Sequence, residues 1–563
     1  MKIMSSPSPS SRNSYSPPNI AETDNDSPQT LDSLNHYCDS PTTPESENDS
    51  NQTHTEWSQD HRANYDSPTT TSETDNDDDD YDDRSSKRPR KNSTVDELST
   101  LPDSLLISIL SFLPIQYAIR TSVLSKRWRF LWTCVQSLFF YYRHCYDDGD
   151  KIRDFVSVVT KTLVLYNGSR LQKFWVDFDY ESRFAHNVNV WIFRAISKGT
   201  EQIRLEFCSA EGYLGENDRF VLPQILYNNS FFRELGFSLC IVKPKEVVSW
   251  NSLKKLSIGY VNLSEDVIQN ILSGSPVLET LELYDFYGLD RLRVDNVNLK
   301  RLILRGYWFF DYGFDAIEED CSGLKIWAPH VLSLEISGCF GRKNCWLEDV
   351  SSLVDATLNC FFISCADDCN DDYEWFQYIL RGLLESLGHV KNLTLGTWAL
   401  QVLSIMEAKG LCSPRSKCEY LTLDTPLKGS VLPGIASLLE SSPFLETLVI
   451  TMSSSSNREY FGGKLIELYD FNGEQYWTSQ KKAFKCLMMH LKTIKFANFT
   501  WNYCDLNFSF AQFLLKNARV LQKMIVYTRW EHAKKPKKLS QADQKLLLSF
   551  PRSSPNAVVE FCV

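Results

Sequence analysis

One short pattern recurs through most of this chain and restricts its fold more than any other feature: an apolar residue, two variable positions, Leu, one variable position and another apolar residue. It starts at Leu171, with Phe174 and Val176 in the later places, and returns at Gln202, Phe232, Leu253, Leu278, Leu299, Val331, Leu353, Val390, Cys418, Leu445, Leu491 and Leu521. The thirteen starts are about 29 residues apart on average. Alternation over so few residues is a strand signature, and some units continue into a helical apolar periodicity, as at 264–272 and 434–439. A single unit of this kind cannot bury its apolar face alone, so the units are expected to stack into an α/β repeat solenoid. Steps of 37 residues before Val390 and 46 before Leu491 imply inserted loops.

The net charge of −12 is concentrated outside this body. Residues 1–95 hold 8 Lys and Arg against 19 Asp and Glu, which leaves residues 96–563 at −1. A nearly neutral body disfavours nucleic acid as a partner. Ser, Thr, Pro, Asn and Asp dominate residues 1–95, and large aliphatic side chains are almost absent, so the segment is expected to be a disordered tail. It repeats itself: Asp39-Ser-Pro-Thr-Thr43 returns as Asp66-Ser-Pro-Thr-Thr70. Seven Ser/Thr-Pro steps could accept phosphate. The basic cluster Lys87, Arg88, Arg90 and Lys91 suits capture by an acidic import receptor, which points to the nucleus, otherwise the cytoplasm.

No run of about 18 apolar residues occurs, and the first residues lack the apolar core of a secretory signal, so no membrane is expected. The 16 Cys are scattered singly, without a C-x-x-C pair, and read as reduced thiols. Cys360, Cys365 and Cys369 stand close together, but no His accompanies them, so neither a metal nor a cofactor is expected.

Residues 96–140 differ from both neighbours. Thr100-Leu-Pro-Asp103 has the form of a capping box, and Leu105, Leu106, Ile109, Leu110 and Leu113 follow on one helical face up to Pro114. A second helix is predicted over 116–121. Ser125 opens a third, with Trp128, Leu131, Trp132 and Val135 on one stripe and Lys126, Arg127 and Arg129 in water. So small a unit cannot hide this much apolar surface by itself.

The stretch resembles an F-box: Leu101-Pro-Asp-Ser-Leu-Leu106, Ile109-Leu-Ser-Phe-Leu-Pro114 and Arg120-Thr-Ser-Val-Leu-Ser-Lys-Arg-Trp-Arg129 carry the likeness. The resemblance implies a three-helix docking module for the Skp-type adaptor of cullin ubiquitin ligases. Leu101 and Pro102 would be its N-terminal anchor, with Leu106, Ile109, Leu110, Leu113, Pro114, Val123, Leu124 and Trp128 as the remaining contact.

The body resembles the degenerate leucine-rich repeats of plant F-box proteins. Phe513-Leu-Leu-Lys-Asn-Ala-Arg-Val-Leu-Gln-Lys-Met524 with Leu547-Leu-Ser-Phe-Pro551 resembles the FBD-type C-terminal segment of that group. The domains are therefore read as tail 1–95, F-box 96–140, repeats 141–505 and an FBD-like segment 506–563 that closes the solenoid. Positions flanking the inward Leu of a repeat strand face the concave side. The candidate target-binding residues are accordingly Ser257, Glu282, Ile303, Glu335 and Thr394, with Tyr284, Arg305, Ser337 and Asp424 one row on. Tyr307, Trp308, Phe309, Phe310, Tyr312 and Phe314 form an aromatic cluster suited either to packing between repeats or to a partner. Lys534, Lys535, Lys537 and Lys538 form a basic loop.

No phosphate-binding loop, H-E-x-x-H, G-x-S-x-G or dinucleotide fingerprint is present, and no Cys lies in a catalytic context. The residues point away from an enzyme. They point to a receptor that binds a target protein through its repeats and couples to a ligase through the F-box. A scaffold that docks the adaptor without ubiquitin transfer, and a nuclear nucleic-acid-associated factor, are the alternatives.

Overall fold

The computed structural model describes residues 97–143, 149–208, 218–307, 323–340, 345–362, 373–451, 473, 475–497, 505–527 and 540–562. The tail, its basic cluster, Trp308 to Phe314, Cys365, Cys369 and the lysine loop lie outside them.

Among the described residues, fifteen strands form one sheet, from Ser137–Tyr142 to Val558–Cys562, in which spatial order follows chain order. Neighbouring strands pair in parallel throughout, as a chain of right-sized crossovers requires. Twelve of the thirteen repeat starts fall two residues before a strand, so that Leu256, Leu281, Leu302 and Leu334 stack as register partners. The exception is the unit read from Gln202. Ile203, not Leu205, pairs with Phe174, so this unit begins at Thr200 and the reading from Gln202 is two residues late. Thr200 is buried where its neighbours place Leu171 and Phe232, and its hydroxyl donates to the Ala195 carbonyl oxygen at 2.6 Å.

The first and last strands follow the same pattern unnoticed in the sequence. Val135-xx-Leu138-x-Phe140 precedes the first repeat, inside the segment read as F-box, and Val559-x-Phe561 closes the sheet with the exposed Asn556 in the place of the leading apolar residue.

Helices cover one face of the sheet. Glu265–Ser273 shows how local sequence sets such a helix: the Ser264 hydroxyl caps it, accepting from the Val267 N–H. Ile268, Ile271 and Leu272 then turn inward. In the middle of the body a second parallel sheet replaces the helices, built from Arg291–Arg293, Leu324–Trp327 and Cys345–Asp349. Towards the C-terminus the helix layer is itself enclosed. Every residue from Thr397 to Met406 of the Thr397–Ala408 helix is buried. Lys482 pins this layer with ion pairs to Glu407 at 2.6 Å and Glu440 at 2.8 Å.

A column of left-handed residues runs across five successive strands: Leu239, Tyr260, Asp285, Gly306 and Gly338, with φ of 55, 50, 46, 76 and 80°. Each follows the last outward residue of its strand, and the next residue (Cys240, Val261, Phe286, Tyr307, Cys339) turns back into the core. The three non-glycine members each cost roughly 1 kcal/mol or more. At Gly306 a β-carbon would stand 2.4 Å from the Asp285 Oδ1, so a side chain there has no room.

The F-box has the three expected helical segments with changed ends. Asp103–Leu110 is capped by Pro102 in extended conformation without a side-chain cap. The capping box expected from Thr100 does not form, because Thr100 ends a preceding helical turn, Glu97–Thr100. The second helix is Ile115–Arg120, and the third is a 3-10 helix, Trp128–Cys134, rather than an α-helix. Leu106, Leu110, Trp128, Leu131 and Trp132 belong to the same apolar cluster as the first strands, so the F-box and the repeats share one core.

Candidate functional site

Two surfaces carry the residues singled out by sequence. On the F-box, Arg127 ties the third segment to the first helix, with its Nε 2.7 Å from the Asp103 Oδ1 and a further hydrogen bond to the Leu101 carbonyl. That clamp and the shared core leave part of the module's apolar surface uncovered. Ile109, Leu113, Val123 and Leu124 are exposed there, Pro102 is exposed, and Leu101 and Pro114 are half-buried.

Leu106, Leu110 and Trp128 are a correction. They were expected on the docking face, yet Leu106 and Leu110 are 0 and 1 % exposed and Trp128 is also buried. A helix with apolar residues at 105, 106, 109 and 110 turns only part of them inward. Leu106 and Leu110 take the core side, leaving Leu105 and Ile109 in solvent. Sequence reasoning missed Leu105, Phe112 and Phe130 as surface residues, and Phe112 at 87 % is the most open of all. Part of the signal was available: Phe130 stands between the core positions Trp128 and Leu131, and Leu105 is next to the inward Leu106.

On the open face of the sheet, Ser257, Glu282, Ile303 and Glu335 are register partners in one row, and Thr357 continues that row to Thr394. Tyr284, Arg305 and Ser337 form the next row. The expected concave set is thus brought together, but it satisfies itself. Ser257 donates to Glu282 at 3.1 Å. Arg305 bridges Glu282 at 3.1 Å and Glu335 at 3.2 Å, and Arg301 also reaches Glu335. Ile303 is buried, and Asp424, from the second row, is buried while accepting from Asn359 Nδ2 at 3.0 Å. Only the Arg305 side chain, about half exposed, stands well out into solvent.

Small residues let long side chains lie flat here. The Tyr284 hydroxyl donates to Glu206 at 2.5 Å across two intervening strands. It can do so because Gly259 is beneath it: a β-carbon at Gly259 would lie 1.9 Å from the Tyr284 ring. Arg204 lies over Gly236 in the same way, and its guanidinium sits 5.0 Å from the Trp175 ring. Arg143 grips Asp177 with two hydrogen bonds of 2.6 and 3.1 Å. None of these was anticipated, since contacts between residues 78 positions apart leave no periodic mark.

Burial pushes the Cys208 thiol beside this cluster up to about 12, which makes it a poor nucleophile. Cys345 and Cys360 are raised by burial as well. Among the described residues no group of His, Cys, Asp and Glu is placed to hold a metal ion, and no helix is long and apolar enough to cross a membrane. Tyr307, the described member of the aromatic cluster, is buried between Phe286 and Phe340 and bonds the Leu289 carbonyl, so it packs between repeats.

Three family models match separate parts of the chain. The F-box domain model matches residues 98–140, a leucine-rich-repeat model described as At1g61320/AtMIF1, LRR domain, matches 165–305, and the FBD model matches 480–526. The FBD match begins before the segment read from sequence as 506–563 and ends at the next-to-last strand. Among similar proteins, the Arabidopsis thaliana F-box/LRR-repeat protein At5g02910 is 34% identical over 77% of this chain and 88% of its own length. F-box/LRR-repeat protein At3g03360 of the same organism is 31% identical over 69% of this chain and 78% of its own. With an F-box helical module joined through one core to a leucine-rich parallel sheet, the chain belongs to the F-box/LRR-repeat protein family.

Proposed function

We propose that this protein is the non-catalytic target-recognition subunit of a cullin-based, SCF-type ubiquitin ligase. The observation that carries the reading is the apolar surface left open on residues 98–140: Leu105, Ile109, Phe112, Leu113, Val123 and Leu124 are exposed on a module otherwise sharing a closed core. So many exposed large apolar side chains on so small a module favour a protein interface. The partner is the Skp-type adaptor and, through it, the cullin. The sheet body holds an unidentified target protein, which raises the effective concentration of its lysines near the charged conjugating enzyme. Import through Lys87, Arg88, Arg90 and Lys91 places this work in the nucleus.

The test is co-expression of the full chain with a Skp-type adaptor, followed by size exclusion, for the parent and for Phe112→Asp/Val123→Asp. These positions are solvent-exposed, so the variant keeps its fold, whereas Leu106→Asp would destroy the core instead. Co-elution with the parent and its loss in the folded variant supports the reading. Failure of the folded parent to bind sinks it. Persistence of a bound target's lifetime after deletion of the F-box would favour a scaffold that docks the adaptor without degradation.

A further inference from the structure

The edge of the sheet where strands begin carries a groove separate from the open face. Its floor is a column of residues that immediately precede strands: Glu201, Arg233, Lys254, Glu279 and Lys300. Backbone hydrogen bonds from each N–H to the preceding member's carbonyl, of 2.7 to 2.9 Å, hold them side by side. Neighbours are therefore about 4.8 Å apart. Arg170 closes one end, the exposed rings and methyls of Phe231 and Val277 form a wall, and the open space is about 850 Å³.

The charges in this groove do not cancel. Four cations, Arg170, Arg233, Lys254 and Lys300, face two carboxylates. Glu201 is shared by two guanidiniums, Arg170 and Arg233, and Glu279 is taken by Lys254 at 2.7 Å. Lys300 bonds the Val297 carbonyl at 2.7 Å and pairs with no carboxylate among the described residues. A net positive trough beside an exposed Phe is complementary to a chain that brings both carboxylates and an apolar side chain. Glu201 and Glu279 in the floor oppose the unbroken charge of a nucleic-acid backbone. Arg233 and Lys300 are three strands apart, about 14 Å, which an extended peptide spans in about four residues. Acidic side chains at i and i+4 of such a peptide fall on one face, above these two cations.

We propose that this groove docks an acidic, extended segment of the target protein, with a large apolar side chain of that segment seated on Phe231 and Val277. The proposal rests on the target-binding reading above and names the chemistry of the target. It also moves part of recognition from the open face, where charges are already paired, to the strand-start edge.

The experiment is fluorescence anisotropy of the full chain with a labelled short extended peptide carrying Glu at i and i+4 and Phe at i+2. Counterparts with Gln or Lys in place of Glu serve as comparisons. Binding of the Glu peptide, weakened about tenfold or more by Gln replacement, by Arg233→Glu/Lys300→Glu and by raised salt, supports the proposal. Arg233→Gln/Lys300→Gln, a milder change, should weaken it in the same direction, and Phe231→Ala should weaken it several-fold. Equal binding to the parent and both charge variants overturns the proposal, as does no binding of the Glu peptide. Displacement by millimolar inorganic phosphate as effective as by peptide would show a simple anion site, and groove-dependent binding of a single-stranded oligonucleotide would show a nucleic-acid surface; either overturns it. Adaptor co-elution on the same proteins keeps the two readings apart. Peptide loss with the adaptor retained assigns the effect to the groove, and peptide binding without adaptor binding removes the ligase reading alone.

Discussion

The F-box and the repeat sheet are built from the same apolar residue types and dispose of them in opposite ways. Along the sheet, Leu256, Leu281, Leu302, Leu393, Leu421 and Leu448 are closed off by the next strand and by the layer behind. On the F-box, Leu105, Ile109, Phe112, Val123, Leu124 and Phe130 remain in water although the module's core is complete without them. The F-box packs on the first strand and is bonded through the Thr133 carbonyl to Asn167 and Gly168, and these contacts leave the side chains just named uncovered. Each inward leucine of the sheet has a neighbouring strand to cover it, and the body exposes apolar side chains elsewhere, as at Phe193, Phe231 and Val247. Surface left over after the core closes is therefore informative about partners, while an equally leucine-rich sheet is informative only about stability.

The largest expected effect tests whether the two regions share a core. Leu106→Asp in the F-box and Leu256→Asp in the sheet each bury an unpaired charge and should cost roughly 3–5 kcal/mol or more. Urea melts of both should shift one common transition, and two separable transitions would divide the core. Next, Phe112→Asp/Val123→Asp should weaken adaptor binding by about 2 kcal/mol or more while moving stability by less than about 0.5 kcal/mol. Loss of both together would mean that these side chains are structural.

On the sheet, Gly259→Ala should cost about 1–3 kcal/mol because its methyl group displaces the Tyr284 ring. In Tyr284→Ala the same change should be nearly neutral, and a double-mutant cycle in chemical melts measures the coupling. The smallest effect is the pH response of Asp285. Burial raises its carboxyl to about 6, partly offset by the hydrogen bond from Tyr260. Because this pKa is higher in the folded chain than in the unfolded one, the ionised group costs stability above about pH 6. That cost is relieved as pH falls from about 6 towards 4. Asp285→Asn should flatten this rise and stabilise the protein near neutrality by roughly 1–2 kcal/mol. Asn also tolerates the left-handed backbone at this position. An unchanged stability profile across that range would mean that Asp285 is ionised at no cost.

Much of the fold was legible because a repeat writes its period into the chain. Leu253, Leu278 and Leu299 announce strands two residues later, and Ser264 announces a helix. The unit at Thr200 was displaced because a threonine occupies the leading apolar place, and a hydroxyl satisfied by a nearby carbonyl is invisible to an apolar pattern. The first strand, at Leu138 and Phe140, was hidden by the F-box likeness that overlaps it. On the docking module, the family pattern identified the segment but did not separate Leu106 and Leu110 from Leu105 and Ile109.

The amino-acid order alone determined the repeat solenoid, the F-box, and the row in which Ser257, Glu282, Ile303 and Glu335 stand, because period and alternation are local properties of the backbone. Only the tertiary structure decided which of those side chains remain available. Arg305 neutralises two carboxylates from neighbouring strands, Tyr284 reaches Glu206 over a glycine, and Arg233 and Lys300 come to share one groove. Each of these depends on residues distant in the chain and adjacent only after the strands pair. Burial and charge pairing are properties of that proximity, and no local pattern encodes them.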